Sequence, residues 1–240
     1  MVRIDRWQTV LFPICLALAA CSTKAPKPQA YSPAPQKAVA AAQSVAQPVL
    51  KVGQKWAFRR IDLWRNNDVQ ERFEQELVMN EGDQWTVQWR IVFSNDPQRR
   101  GSITGEYLDA KSQSFFDPKM LSPLLSPHIP LSFPLQVGKT WSFSYGIVPE
   151  PGRVIQIDQT AIVEGWESVT VPAGTFRALK IVHRGRYSAQ ESIHAWSGNI
   201  QETYWYAPDA LRVVKMEYRD TNGDGRVFDQ RRDELTSMKL

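Results

Sequence analysis

One eleven-residue string occurs twice, and this repetition limits the fold more than any other feature of the chain. Leu50 to Arg60 reads LKVGQKWAFRR and Leu135 to Tyr145 reads LQVGKTWSFSY. Leu50, Val52, Gly53, Trp56 and Phe58 thus return 85 positions later as Leu135, Val137, Gly138, Trp141 and Phe143. Glu81-Gly82 ahead of Thr86-Val87 has its counterpart, in the same order, in Glu164-Gly165 ahead of Thr170-Val171. Two copies are too few for a solenoid. The repeat therefore predicts a pseudo-symmetric body of two related units, residues 49–134 and 135–240.

Each unit reads as antiparallel strands. From Gln84 to Ser94, Trp85, Val87, Trp89, Ile91 and Phe93 hold one phase of a two-residue period, and polar residues other than Val92 hold the second. That is a strand with one buried face. Arg153 to Val163 does the same with Ile155, Ile157, Ala161 and Val163. Val69, Phe73 and Leu77 have a spacing that also suits a helix, but Met79 continues the two-residue phase and Asn66-Asn67-Asp68 suits a hairpin turn, so a strand is expected. Pro172-Ala173-Gly174 predicts a tight turn between Val169–Val171 and a strand from Thr175 to His183. Asn222-Gly223-Asp224-Gly225 predicts another between Leu211–Arg219 and Arg226–Lys239. Asp117 to Leu135 carries five prolines among Leu, Ile and Phe; an apolar connector of this kind is expected to pack across a sheet edge. The fold class read from these patterns is all-β and antiparallel, two tandem units forming a curved sheet, half-barrel or sandwich.

The strings VGxxWxF, VEGWESVTVPAGTFRALKIV (163–182) and TYWYAPDALRVVK (203–215) resemble a bacterial envelope family of unknown function. The resemblance covers most of 135–240, and in 50–134 only the opening. It implies a curved antiparallel β fold, carried on lipoproteins or exported proteins, with no assigned activity. Where similar sequences place glycine after Tyr-Ala-Pro, this chain has Asp209-Ala210-Leu211, so a different turn is expected there.

The first 48 residues give an address. Arg3 and Arg6 precede an apolar run from Trp7 to Ala20 that is too short to span a bilayer comfortably, and small residues lead into Cys21. Residues 1–20 are read as a signal peptide. Leu18-Ala19-Ala20-Cys21 resembles the lipobox of bacterial lipoproteins, which implies lipidation of Cys21 and attachment to a membrane. Several acyl chains on one cysteine exceed what stable anchoring requires. Ser22 resembles the residue found after the cysteine in lipoproteins sent to the outer membrane of Gram-negative cells, where the β domain would face the periplasm. Residues 22–48 hold five prolines, eight alanines, four glutamines and no acid, the composition of a mobile tether. Within it, Ala38 to Ala46 has helix-forming composition but no evident surface to pack on.

Charge excludes one class of partner. The net charge is +4, but once the residues before 49 are set aside, 24 Lys and Arg meet 24 Asp and Glu. A nucleic-acid module needs surplus cations on the folded part, and this chain has none there, so no nucleic-acid partner is expected.

Candidate sites are few. Asp220, Asn222, Asp224 and Gly225 match the first half of a calcium loop, with Asp229 and the Arg226 carbonyl as further oxygens. Arg231 stands where a closing bidentate carboxylate belongs, so a polar hairpin turn fits the string equally well. A bound calcium would staple the last hairpin, and no cofactor is required. Of the eight tryptophans after the leader, Trp56, Trp85, Trp89 and Trp141 are expected in the core. Trp196 and Trp205 flank or adjoin a less regular stretch, Ala189 to Gln201, read as a flap, and are the ligand-binding candidates. His128, His183 and His194 lack metal-ligand spacing and are expected to be solvated or satisfied. No GxSxG, GxxxxGK or HExxH string occurs. The expected function is a non-catalytic lipoprotein whose β domain engages an envelope protein or cell-wall component. A carrier of an apolar ligand and a polysaccharide-acting enzyme are the alternatives.

Overall fold

The structure is a computed structural model; residues 44–109, 115–116, 128–148 and 152–240 are described here. Cys21 and nearly all of the expected tether lie outside these residues, as does the first part of the apolar connector. The described chain forms one open, curved, antiparallel sheet. Its strands are β1 (Lys55–Asp62), β2 (Val69–Glu81), β3 (Gln84–Ser94), β4 (Ile103–Asp109), β5 (Phe115–Phe116), β6 (Thr140–Ile147), β7 (Arg153–Val171), β8 (Gly174–Glu191), β9 (His194–Ala207), β10 (Arg212–Asn222) and β11 (Val227–Lys239). Their order across the sheet is β5-β4-β3-β2-β1-β11-β10-β9-β8-β7-β6. Each half is a meander, and the halves meet where β1 pairs with β11.

The two copies of the opening string fold alike. Gly53 and Gly138 adopt φ of +91° and +86°, a region that L residues with a side chain rarely enter, which is why both turns need glycine. Gly53 N donates to Leu77 O at 2.8 Å, and Gly138 N to Val163 O at 2.9 Å. Leu50, Leu135, Phe58 and Phe143 are all buried. The second match does not share a structural place. Gly82 lies in the β2–β3 turn, whereas Gly165 lies within β7, where a bulge after Val163 shifts the register against β8.

The first-half strands follow their sequence periods. Phe73 and Leu77 are buried on β2, and Trp85, Val87 and Ile91 on β3. Leu211 takes φ +56° in the turn that joins β9 to β10. The stretch read as a flap is instead the regular β8–β9 hairpin, paired residue for residue from Leu179↔Tyr206 to Glu191↔His194, with Ser192 at φ +52° in its turn.

Apolar side chains form two clusters. One joins Leu131, Leu135, Phe143, Ile157, Ala161, Ile181, Tyr187, Tyr204 and Tyr206. The second joins Trp56, Phe58, Phe73, Trp85 and Leu235 to Val169, Val171, Phe176 and Ala178 from the far end of the β7–β8 hairpin. On β8 the first cluster takes odd positions (Leu179, Ile181, Tyr187, Ala189) and the second takes even ones near the strand's start (Phe176, Ala178). Opposite faces of one strand thus serve the two clusters, because successive side chains alternate. Ala173 N, in the β7–β8 turn, donates to Leu235 O at 3.1 Å and ties the hairpin end to β11.

Two expectations need correction. The described part of the connector lies over the sheet face as well as its edge: Leu131 and Leu135 are fully buried, and the Pro130 carbonyl accepts from His183 of the interior strand β8. The end of the supposed tether is held, since Val45 exchanges two 2.8 Å backbone hydrogen bonds with Leu135 and Pro48 is buried. The side chain of Val45 has apolar neighbours to pack on, so ordered structure begins before residue 49.

Candidate functional site

Polar side chains interrupt the apolar phase on three adjacent strands. Gln159 of β7 sits between Ile157 and Ala161, His183 of β8 follows Ile181, and Glu202 of β9 sits between Ile200 and Tyr204; all three are buried. The β8–β9 register places His183 directly opposite Glu202. His128, from the connector, closes the group from above. Glu202 Oε2 lies 3.2 Å from His128 Nε2, accepts from Gln159 Nε2 at 3.2 Å, and lies 3.8 Å from His183 Nδ1. His183 Nε2 donates to the Pro130 carbonyl at 3.1 Å. Rings of Tyr145 and Phe143 flank His128 at 4.7 and 5.5 Å, and those of Tyr204 and Trp141 flank His183 at 4.9 and 5.7 Å.

Burial sets the protonation states here. It pushes His183 down to about 4, with the His128 ring adding to the effect against the pull of Glu202. Burial also pushes Glu202 upward, but the two imidazoles and the Gln159 amide outweigh it, so the carboxylate stays ionised. The Tyr204 hydroxyl is raised well above the ordinary tyrosine range, by burial first and then by the charge of Glu202.

His128 and Glu202 form one side of a cavity of about 280 Å³ between the two halves of the sheet. A stack of aromatic rings lines the same cavity. Phe58 stacks on Phe73 at 5.3 Å, and Phe73 on Trp89 at 4.7 Å and 5° between planes. Arg60, Arg212, Lys215 and Arg231 line the same space with only Glu202 and Asp233 as carboxylates. All four cations have partners within the sheet, Arg231 in Asp229 and Lys215 in Glu217. Arg60 meets Asp233 through two 2.8 Å bonds, and Arg212 Nη2 donates to Gln75 Oε1 at 2.5 Å. The Arg60 guanidinium is held charged: burial opposes this, and Asp233 and then Glu71 overcome it.

The residues singled out in the sequence lie elsewhere. Trp205 is core, its indole N–H donating to Glu167 Oε2 at 2.8 Å and its ring under Lys215 Nζ at 4.3 Å. Trp196 is 37% exposed on β9, with Arg153 over its ring at 5.7 Å. Neither lines the cavity, because the stretch read as irregular is a paired hairpin that fixes both. The calcium-like string forms the β10–β11 turn, and its oxygens serve that turn. Asn222 Oδ1 accepts from Asp224 N and Arg226 N, and the Arg226 carbonyl accepts from Asn222 N. Asp220 Oδ1 accepts from Asp229 N at 2.7 Å, while Asp229 Oδ2 pairs with Arg231. Among the described residues the acids of this loop do not converge; the one metal-competent group of His, Cys, Asp and Glu is His128, His183 and Glu202.

That group was missed because its members stand 55 and 19 positions apart and meet only through strand register. A signal did exist, namely a glutamine, a histidine and a glutamate each standing in the apolar phase of a strand.

No family model matches the chain, and no curated protein matches it. Several solved structures resemble it, among them the following three. An inferred lipoprotein of Parabacteroides distasonis is 13% identical with TM-score 0.49, covering 81% of this chain and 97% of its own. An inferred exported protein with YmcC-like fold from Bacteroides fragilis is 12% identical with TM-score 0.44, covering 82% and 100%. The hypothetical lipoprotein YmcC of Escherichia coli is 12% identical with TM-score 0.35, covering 78% and 85%.

Proposed function

We propose that the protein is a lipid-anchored component of the bacterial envelope, held at the outer membrane through Cys21 and facing the periplasm. On this reading its β domain is a non-catalytic module that binds a carboxylated envelope glycan. The anchor rests on the Leu-Ala-Ala-Cys string and the leader before it. The binding mode rests on one observation: a stack of Phe58, Phe73 and Trp89, with Trp89 at its partly exposed end, lines the same cavity as four cations and two carboxylates. Aromatic faces suit the apolar face of a sugar ring, and guanidinium groups suit carboxylates through paired N–H donors. A lipid carrier fits less well, since four cations and two carboxylates stand where acyl chains need an apolar lining.

The test is a fluorescence titration of the full chain with oligogalacturonate, beside a neutral gluco-oligosaccharide of equal length. Saturable change with the acidic sugar alone, weakened by salt and lost in Trp89→Ala, is expected. An equal response to both sugars, or none to either, refutes the reading.

A further inference from the structure

Three side chains distant in sequence present donor atoms to one point. His128 Nε2, His183 Nδ1 and Glu202 Oε2 all lie within 4.8 Å of one another, with 3.2 Å between the first and third and 3.8 Å between the second and third. A tetrahedral ion bound at about 2.0–2.2 Å holds its ligand atoms roughly 3.3–3.5 Å apart. Small side-chain adjustments separate the observed distances from that geometry.

The state of His183 points to a missing ligand. The residue is fully buried, and its Nδ1 has no hydrogen-bond partner. Its Nε2 donates to the Pro130 carbonyl, which leaves Nδ1 as the ring atom that faces Glu202 Oε2 across 3.8 Å. That gap is too long for a hydrogen bond and close to the spacing of two ligand atoms on one ion. The surroundings also match a metal site, in which a ligating histidine commonly donates its second ring N–H to a carbonyl and a ligating carboxylate is itself hydrogen-bonded. Pro130 fills the first role and Gln159 the second.

We propose that His128, His183 and Glu202 bind one divalent transition-metal ion of the zinc class, with its remaining position open to the cavity beside Trp89. Two imidazoles and a carboxylate are a donor set suited to zinc. The ion clips the connector, through His128, onto β8 and β9. The proposal is independent of the glycan reading, since the metal alone is the probe.

The experiment uses the full chain in detergent, without a polyhistidine tag, stripped with chelator and titrated with Zn²⁺ by calorimetry and with Co²⁺ by visible absorption. One ion per chain and the intense absorption of tetrahedral Co²⁺ are expected. His128→Gln and Glu202→Gln should each weaken binding by about 100-fold or more, since even outer partners of ligands are worth about 10–100-fold. His194→Gln, an exposed site on β9, should leave binding unchanged. Far-UV circular dichroism establishes that each variant is folded, and the wild-type stoichiometry and Co²⁺ spectrum decide the matter even if a variant is not. Uptake well below one ion per chain, or affinity equal in wild type and both ligand variants, overturns the proposal.

Discussion

Trp56 and Trp141 occupy equivalent places in the repeat but unequal surroundings, so the same substitution at each should cost different amounts. Trp56 is fully buried, its indole N–H donates to Ala210 O at 2.9 Å, and the Arg212 guanidinium lies 5.2 Å from its ring. Trp141 is partly exposed and donates to Ile129 O at 3.0 Å. In Trp56→Phe the buried Ala210 carbonyl loses its donor, at about 1–3 kcal/mol. The smaller ring leaves unfilled volume and lost apolar contact of about 1–2 kcal/mol. The weakened cation–π contact adds about 0.5–1 kcal/mol. The sum is about 4 kcal/mol. In Trp141→Phe water can reach the freed carbonyl and the side chain buries less area, so about 1 kcal/mol is expected. Urea unfolding of the full chain, followed by far-UV circular dichroism to avoid the altered fluorescence, gives both values. Thermal midpoints should fall by roughly 8–16 °C and 2–4 °C respectively for a domain of this size. A loss in Trp56→Phe no greater than that in Trp141→Phe would refute the reasoning.

Two glycines of the same sheet should respond oppositely to alanine. A Cβ on Gly198 would stand 1.9 Å from the Thr221 carbonyl oxygen and 2.7 Å from the Tyr187 hydroxyl, whereas one on Gly165 meets nothing within 4 Å. Gly198→Ala should cost more than about 3 kcal/mol, and Gly165→Ala should be neutral or stabilising by up to about 1 kcal/mol; similar unfolding midpoints for the two would contradict this. Glu217 gives a pH dependence. Burial pushes its carboxyl up, and Lys215 at 3.0 Å and Arg232 at 2.8 Å more than reverse that, so it sits below the ordinary range. A carboxyl lowered by folding contributes stability above its unfolded pKa, and that contribution fades as pH falls through the folded value. Glu217→Gln should therefore lose less stability than wild type between about pH 5 and 3, and parallel curves of urea midpoint against pH would exclude the effect.

The strands were legible because each carries a local signal. Gln84–Ser94 states its period outright and is β3 to the residue. The β7–β8 hairpin follows from Pro172-Ala173-Gly174. What could not be read was any property that depends on register or on which face is covered. Thr203 to Ala207 is buried at every position, so its periodicity says nothing about which cluster Trp205 joins. His183 and Glu202 read as ordinary polar residues until the β8–β9 pairing sets them side by side. The calcium-like string shows an ambiguity of another kind: its oxygens have the spacing of a metal loop, and a two-stranded turn uses the same oxygens to satisfy its own N–H groups.

The repeat suggests cutting the chain between residues 134 and 135, and the sheet predicts that this cut fails. A fragment of 135–240 would keep β6–β11 as a continuous meander, but β11 would lose β1, its partner from Lys55↔Lys239 to Asp62↔Arg231. Val169, Val171, Phe176 and Leu235 would lose Trp56, Phe58, Phe73 and Trp85, which complete their cluster. Arg60 would leave the buried Asp233 without its cation, and Arg59 would leave Glu234 with only Arg232 at 3.8 Å. A long unpaired strand edge beside newly exposed apolar surface favours association over folding. Expressed alone, the fragment should aggregate or lack a cooperative melt, while co-expression with 44–134 should restore a soluble complex, because nothing in the sheet crosses the cut except the connector. If the fragment alone unfolds cooperatively near the midpoint of the intact chain, then the seam between β1 and β11 is not what holds the two halves together, and the repeat units are independent domains.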